Sequence, residues 1–218
     1  MMTYVLAIAG ARLIAHAERA LFRPDTGTLM VADVHLGKGG VFRRAGIAVP
    51  SGDTYTDIGR LDALIDEFTP RRLVILGDLA HGEATDGSEW VTAMRAWRHR
   101  HPDIDMLLVE GNHDRHFDAR SLGIRVLREP VMEPPFVLTH HPETDPRGYV
   151  LSGHVHPGVI VRDGWRKHRL PAFVFDDTAG ILPAFGTMTG LQEMDIRAAH
   201  TVIAVTPGGL IPIRGERA

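Results

Sequence analysis

The chain has 218 residues, enough for one large domain with a substantial core, and its 44% hydrophobic and 23% charged residues are an ordinary globular balance. It contains no cysteine, which excludes disulfides and thiolate metal sites and makes the cytoplasm the expected location. The net charge of −3 gives no overall basic field for nucleic acid, and no run approaches the roughly 20 apolar residues of a membrane span, so no membrane partner is expected.

The opening "MMTYVLAIAG" lacks a basic stretch and an obvious cleavage site, and reads as a strand over Val5–Ile8 rather than a signal peptide. A second apolar run is Leu29–Ala32. In 54–68, Ile58, Leu61, Leu64, Ile65 and Phe68 recur at helical spacing, with Asp53 as the expected N-cap. A strand over Leu73–Leu76 follows, then a helix over 88–100 with Trp90, Val91, Met94 and Trp97 on one face and Ser88 as cap. Strand-length runs continue at Met106–Val109, Phe136–Leu138, Tyr149–Leu151, Val159–Val161, Ala172–Phe175 and Thr201–Val205, and Ile211–Ile213 returns after the Pro207-Gly208-Gly209 turn. Strand–helix–strand order in the first half and strands in the second predict an α/β domain with two packed sheets.

Five of these runs end in the same kind of residue. "LMVADVHLGK" closes on Asp33-x-His35, "LVILGDLAHG" on Gly77-Asp78, and "LLVEGNHDR" on Gly111-Asn112-His113-Asp114. "FVLTHHP" closes on His140-His141 and "YVLSGHVHP" on Gly153-His154-Val155-His156. Alone, D-x-H and G-D read as turns and H-x-H as one face of a half-exposed strand; the series places Asp, Asn and His at five strand ends, where α/β sheets build their sites. The set Asp33, His35, Asp78, Asn112, His140, His154 and His156 mixes oxygen and imidazole without sulfur, which suits Mn²⁺, Fe, Zn²⁺ or Ni²⁺ better than calcium. Seven ligands are too many for one ion and suit two sharing a carboxylate, an arrangement that clamps a phosphoryl group. Alternation along a strand would bring residues i and i+2 of D-x-H and H-x-H to one face.

The order D-x-H, G-D, G-N-H-D, H, G-H-x-H over residues 31–156 closely resembles the calcineurin-like metallophosphoesterase superfamily. The resemblance implies a four-layer α/β/β/α metallophosphoesterase sandwich, a single domain over residues 1–218, with two metals at the carboxyl ends of the central strands. It places Asp33, His35, Asp78 and His156 on one metal, and Asp78, Asn112, His140 and His154 on the other, with Asp78 bridging. His140 is chosen over His141 because it directly follows the strand. His113 would donate the proton to the leaving oxygen and Asp114 would orient its imidazole. Within the superfamily, "VADVHLGKGGVFRRAGIAVPSGDT" and "LPAFGTMTG" resemble the ligase-associated DNA-damage-response endonucleases, the PdeM family. That likeness implies a Mn²⁺-dependent phosphodiesterase acting on DNA alongside an ATP-dependent ligase, exonuclease and helicase, and a homodimer. The alternative substrate is a small nucleotide or phosphomonoester. A protein phosphatase is disfavoured because Leu79-Ala80-His81 stands where that branch has Asp-Arg-Gly, and a non-catalytic scaffold because every ligand and His113 are kept.

Other polar residues read less sharply. Lys38, Arg43 and Arg44 offer phosphate contacts or a solvated loop, Arg115 and His116 flank the donor motif, and His81 reads as a surface turn or a cleft residue. Trp165-Arg166-Lys167-His168-Arg169 reads as a charged hairpin whose make-up would suit single-stranded nucleic acid. Phe22 and Trp97 are expected in the core, and His16, His99, His101 and His200 at the surface.

Overall fold

The computed structural model describes residues 1–81, 88–128, 130–197 and 200–214. The first seven strands form one sheet: β1 (Thr3–Ile8), β2 (Ala11–His16), β3 (Ala20–Arg23), β4 (Thr28–Val31), β5 (Arg72–Leu76), β6 (Asp105–Val109) and β7 (Arg125–Leu127), side by side in that order. β1 to β4 form an antiparallel meander, and β4 to β7 run parallel. The remaining nine form the second sheet: β8 (Val131–Glu133), β9 (Phe136–Leu138), β10 (Tyr149–Ser152), β11 (Pro157–Asp163), β12 (Arg166–Phe175), β13 (Ala179–Ile181), β14 (Gln192–Glu193), β15 (Thr201–Thr206) and β16 (Gly209–Arg214). Among the described residues three α-helices interrupt the first sheet: α1 (Lys38–Arg44), α2 (Asp53–Phe68) and α3 (Glu89–Arg100).

The parallel strands are apolar throughout because both their faces are covered. Leu29, Val31, Leu73, Ile75, Met106 and Leu108 point to one side, where Ile58, Leu61 and Leu64 of α2 and Trp90, Met94 and Trp97 of α3 meet them. The alternate residues Met30, Val74, Leu76, Leu107 and Val109 point the other way, against Phe136, Leu151, Phe173 and Phe175 of the second sheet. Both crossovers step the same way along the sheet, so both helices lie on one face. Phe22 and Trp97 are core residues, as expected.

The two-sheet α/β sandwich is the one the sequence predicts. Its outermost layer beyond the second sheet is extended chain rather than helix among the described residues: Met194 and Ile196 cover Val159, Ala172, Val174 and Val202. Their spacing of two is that of an extended segment. Asp53 is the first residue of α2 rather than its N-cap; Gly52 precedes it at φ 92, and the Asp53 carboxylate accepts from Gly39 N at 3.2 Å. His16 and His101 are not surface residues: His16 is buried beside Phe68 and pairs with Glu67, and His101 packs on Trp97 and bonds Asp62. No helix among the described residues is long and apolar enough to cross a membrane.

Candidate metal centre

Parallel strands end at one edge, and β4, β5, β6, β9 and β10 deliver the five polar loops there. The D-x-H loop lies beside the G-D loop through Asp33 N–H to Gly77 O (3.1 Å), His35 N–H to Asp78 O (2.8 Å) and Leu36 N–H to Leu79 O (2.8 Å). Asp33 and His35 lie beyond β4, so strand alternation does not bring them together, contrary to the sequence expectation. Left-handed backbone does. Asp33, His35, Asp78, His154 and His156 have φ between 50 and 68. Asp and His tolerate that region better than most residues, yet each such residue costs about 1–3 kcal/mol, and strain of this kind gathers at functional sites.

The glycines of the motifs make room. A Cβ on Gly77 would fall on the His140 ring, one on Gly111 on Asp78, and one on Gly153 on the Asp33 carboxylate. At Gly111 the space a side chain would need is filled by Asp78 of the neighbouring loop.

Asp33 and Asp78 are buried, and neither forms an ion pair with a lysine or arginine among the described residues. Imidazoles surround them instead. His35 Nε2 is 3.7 Å from Asp78 Oδ2 and 3.2 Å from His156 Nε2, and His156 Nε2 is 3.5 Å from Asp33 Oδ1. On the other side His140 Nε2 is 3.6 Å from Asp78 Oδ2, 3.1 Å from Asn112 Oδ1 and 3.1 Å from His154 Nδ1. Asp78 therefore stands between two clusters. His140 is buried and its Nδ1 faces Leu76 O at 3.0 Å, a bond that leaves Nε2 free as a ligand; His141 is exposed, packed against the His154 ring.

Burial, then the positive Lys38 and neighbouring rings, pushes His35 down to about 2, so its imidazole is neutral. Burial also lowers His154, with Asp33 and Asp78 opposing. Buried carboxylates with no lysine or arginine ion pair among the described residues, set among imidazole nitrogens that face one another at 3.1–3.2 Å, are costly unless a cation sits among them. The donor set thus fits divalent metal. Asp33, His35 and His156 can hold an ion, as can Asp33, Asp78 and His140.

Asp114 does not orient His113. Its carboxylate accepts from the backbone N–H groups of Asp78 (2.8 Å), Ala80 (3.0 Å) and Gly111 (2.9 Å), tying two ligand loops together. His113 N–H donates to Asp78 Oδ1 at 2.9 Å, and its ring stacks on His81 at 4.6 Å between centroids. His81, undecided from sequence, belongs to the cleft: its Nδ1 lies 3.1 Å from His35 Nδ1, and burial lowers it to about 4. Its position three residues after Asp78 was the available signal. Lys38 faces the buried carboxylates, while Arg43 is tied to Pro50 O and Asp53 and Arg44 is exposed. Arg115 and His116 are exposed in the turn after His113.

Sequence reasoning missed a clamp behind the first loop. Phe185 N–H donates to Ala32 O (2.7 Å) and Gly186 N–H to Asp33 O (3.1 Å), so the "LPAFGT" stretch backs the D-x-H loop. Arg60 bonds Phe185 O, Asp57 and Glu18, Arg19 bonds Ala184 O, and Asp57 accepts from Thr187 N–H. The quoted "LPAFGTMTG" was the only sequence sign of it.

No family model and no curated protein matches the sequence. Among solved structures, the nuclease MPE of Pseudomonas putida is 34% identical, with 97% of this chain and 100% of that chain covered and a TM-score of 0.85. Yfce, a phosphoesterase from E. coli, is 16% identical with 87% and 99% covered and a TM-score of 0.46, too distant to add to the assignment. The identity and nearly complete overlap with the first show that the chain belongs to the family of the Pseudomonas putida nuclease MPE and shares its metallophosphoesterase type of fold.

Proposed function

We propose that the protein is a divalent-metal phosphodiesterase that cuts DNA, in the manner of the ligase-associated DNA-damage-response endonucleases, with manganese as its metal. The observation that carries the reading is the position of Asp78 between two ligand clusters, 3.7 Å from His35 and 3.6 Å from His140. Asp33, His35, Asp78 and His156 would hold one ion, and Asp78, Asn112, His140 and His154 the second. Two bound ions supply Lewis-acid stabilisation of the phosphoryl oxygens and activation of the attacking water. The chain's own residues do the rest. His113, half-buried and backed by the rings of His35 and His81, delivers a ring proton to the departing ester oxygen. Lys38 adds positive charge beside the carboxylates. A nuclease of 34% identity supports the substrate class.

The test is hydrolysis by metal-stripped protein re-supplied with Mn²⁺, against supercoiled plasmid, an oligonucleotide and bis-p-nitrophenyl phosphate. Nicked plasmid is the expected result. Inert DNA with hydrolysed small diester would move the substrate to small nucleotides, and inertness on all three would remove the activity.

A further inference from the structure

A projection begins at the rim of the cleft. β11 starts at Pro157, the residue after His156, and β12 returns from Arg166, paired with it from Gly158–Pro171 to Asp163–Arg166. Residues 172–175 of β12 are held by β15. Residues 166–169, in contrast, are exposed one after another, so both faces of the strand are bare there. The outer half of the hairpin is an arm extending past the body of the sheet. At about 3.3 Å per residue, β11 carries its tip roughly 20 Å from His156.

The arm bears groups that folding does not use. Trp165 in the turn is 85% exposed, whereas Trp90 and Trp97 are buried. The Arg166 guanidinium lies over its ring, 5.2 Å from the centroid. Arg162 and Lys167 are register partners, so two positive charges stand directly opposite each other on one face, an arrangement that destabilises a hairpin. Among the described residues neither has an ion-pair partner; Arg169, next along that face, meets only the exposed Glu193 at 3.3 Å. In a chain of net charge −3, this is a local concentration of positive charge around an aromatic ring.

We propose that the hairpin arm is a docking surface for single-stranded nucleic acid, with Trp165 stacked on an unpaired base and Arg162, Lys167 and Arg169 on phosphates. The proposal rests on the reading of the cleft as a phosphodiesterase site, since the docked strand is the one whose bond enters it. A base within a duplex has both faces covered by its neighbours, so an exposed ring on a protruding turn selects an unpaired one. At about 3.4 Å per nucleotide, roughly six stacked nucleotides span the distance from cleft to tip.

The test uses the whole Mn²⁺-loaded protein and the variants Trp165→Ala, Trp165→Phe and Arg162→Gln/Lys167→Gln. Substrates are a 20-nucleotide single strand, a trinucleotide, a blunt duplex and bis-p-nitrophenyl phosphate. Trp165→Ala is expected to raise KM for the long single strand about tenfold with kcat unchanged, and Trp165→Phe to restore most of it. The double variant should flatten the slope of log KM against log salt by about 0.7 per cation removed. Trinucleotide and small diester should be indifferent to all three. Oligonucleotide should also quench the fluorescence of the exposed Trp165, and less so in the double variant. Unchanged KM for the long strand in every variant overturns the arm and leaves the cleft reading intact; an equal effect on duplex overturns the single-strand assignment. If wild type hydrolyses no diester, the cleft reading falls, and quenching alone decides the arm: its absence overturns the proposal, its loss in the double variant supports binding.

Discussion

At the scale of single residues, Asp114 and His113 are neighbours with separable duties. Asp114 accepts three buried amide protons, and burial outweighs those bonds to hold it up at about 6. Asp114→Asn puts an NH₂ group where an acceptor is needed. It should lower unfolding free energy by about 1–3 kcal/mol and weaken metal binding, because the loops carrying Asp78 and Asn112 lose their tie; thermal melting and calorimetric Mn²⁺ titration would show both. His113→Ala removes no such tie. It should keep metal and melting temperature while turnover falls by about 10²–10⁴-fold, and full activity in that variant would end the proton-donor role. Gly111→Ala should resemble neither: its new Cβ collides with Asp78, so metal binding and activity should fail together.

Elements divide into those whose cause is local and those whose cause is distant. β5, β6 and β9 were readable because unbroken apolar runs stop at Gly77, Glu110 and Thr139. The motif order likewise placed the candidate ligands at strand ends. α1 was not readable: "KGGVFRR" contains two glycines, poor helix formers. It forms where it does because Gly37 must clear Trp90 and Gly39 must clear Asp53, contacts that no local pattern encodes. The left-handed backbone of the ligand loops and the Arg60 clamp depend on partners distant in the chain, Gly77 and Asp78 for the D-x-H loop and Glu18 and Phe185 for Arg60, and were hidden for the same reason. α2 offers two checks on adjacent residues. Gly59→Ala, where a Cβ meets nothing within 4 Å, should stabilise the protein by up to about 1 kcal/mol in denaturant titration. Arg60→Met strips the clamp from Phe185 O and Asp57, and should loosen the D-x-H loop, seen as weaker Mn²⁺ affinity with an otherwise folded protein.

Imidazoles lowered by burial tie the stability of the whole molecule to pH. Unfolded histidine titrates near 6.5, whereas His35 and His81 are lowered to about 2 and about 4. Their contribution to stability is present above pH about 6.5 and is lost as pH falls toward about 4, where the unfolded state binds more protons. Asp114 acts in the opposite sense, its contribution being lost as pH rises through about 6, and offsets part of the change. His154, lowered as well, adds to the loss, so the histidines outweigh Asp114: the melting temperature of chelator-treated protein should fall between pH 7 and pH 4.5. A level profile would contradict the buried, neutral state of both rings.

The division of strands between the sheets has one more consequence. Strands up to Leu127 build one sheet and strands from Val131 build the other. Asp33, His35, Asp78 and Asn112 come from the first, and His140, His154 and His156 from the second. A break between Leu127 and Val131 would therefore make a split enzyme, each fragment a complete sheet and neither a complete ligand set, in which co-expression restores what separate halves cannot perform.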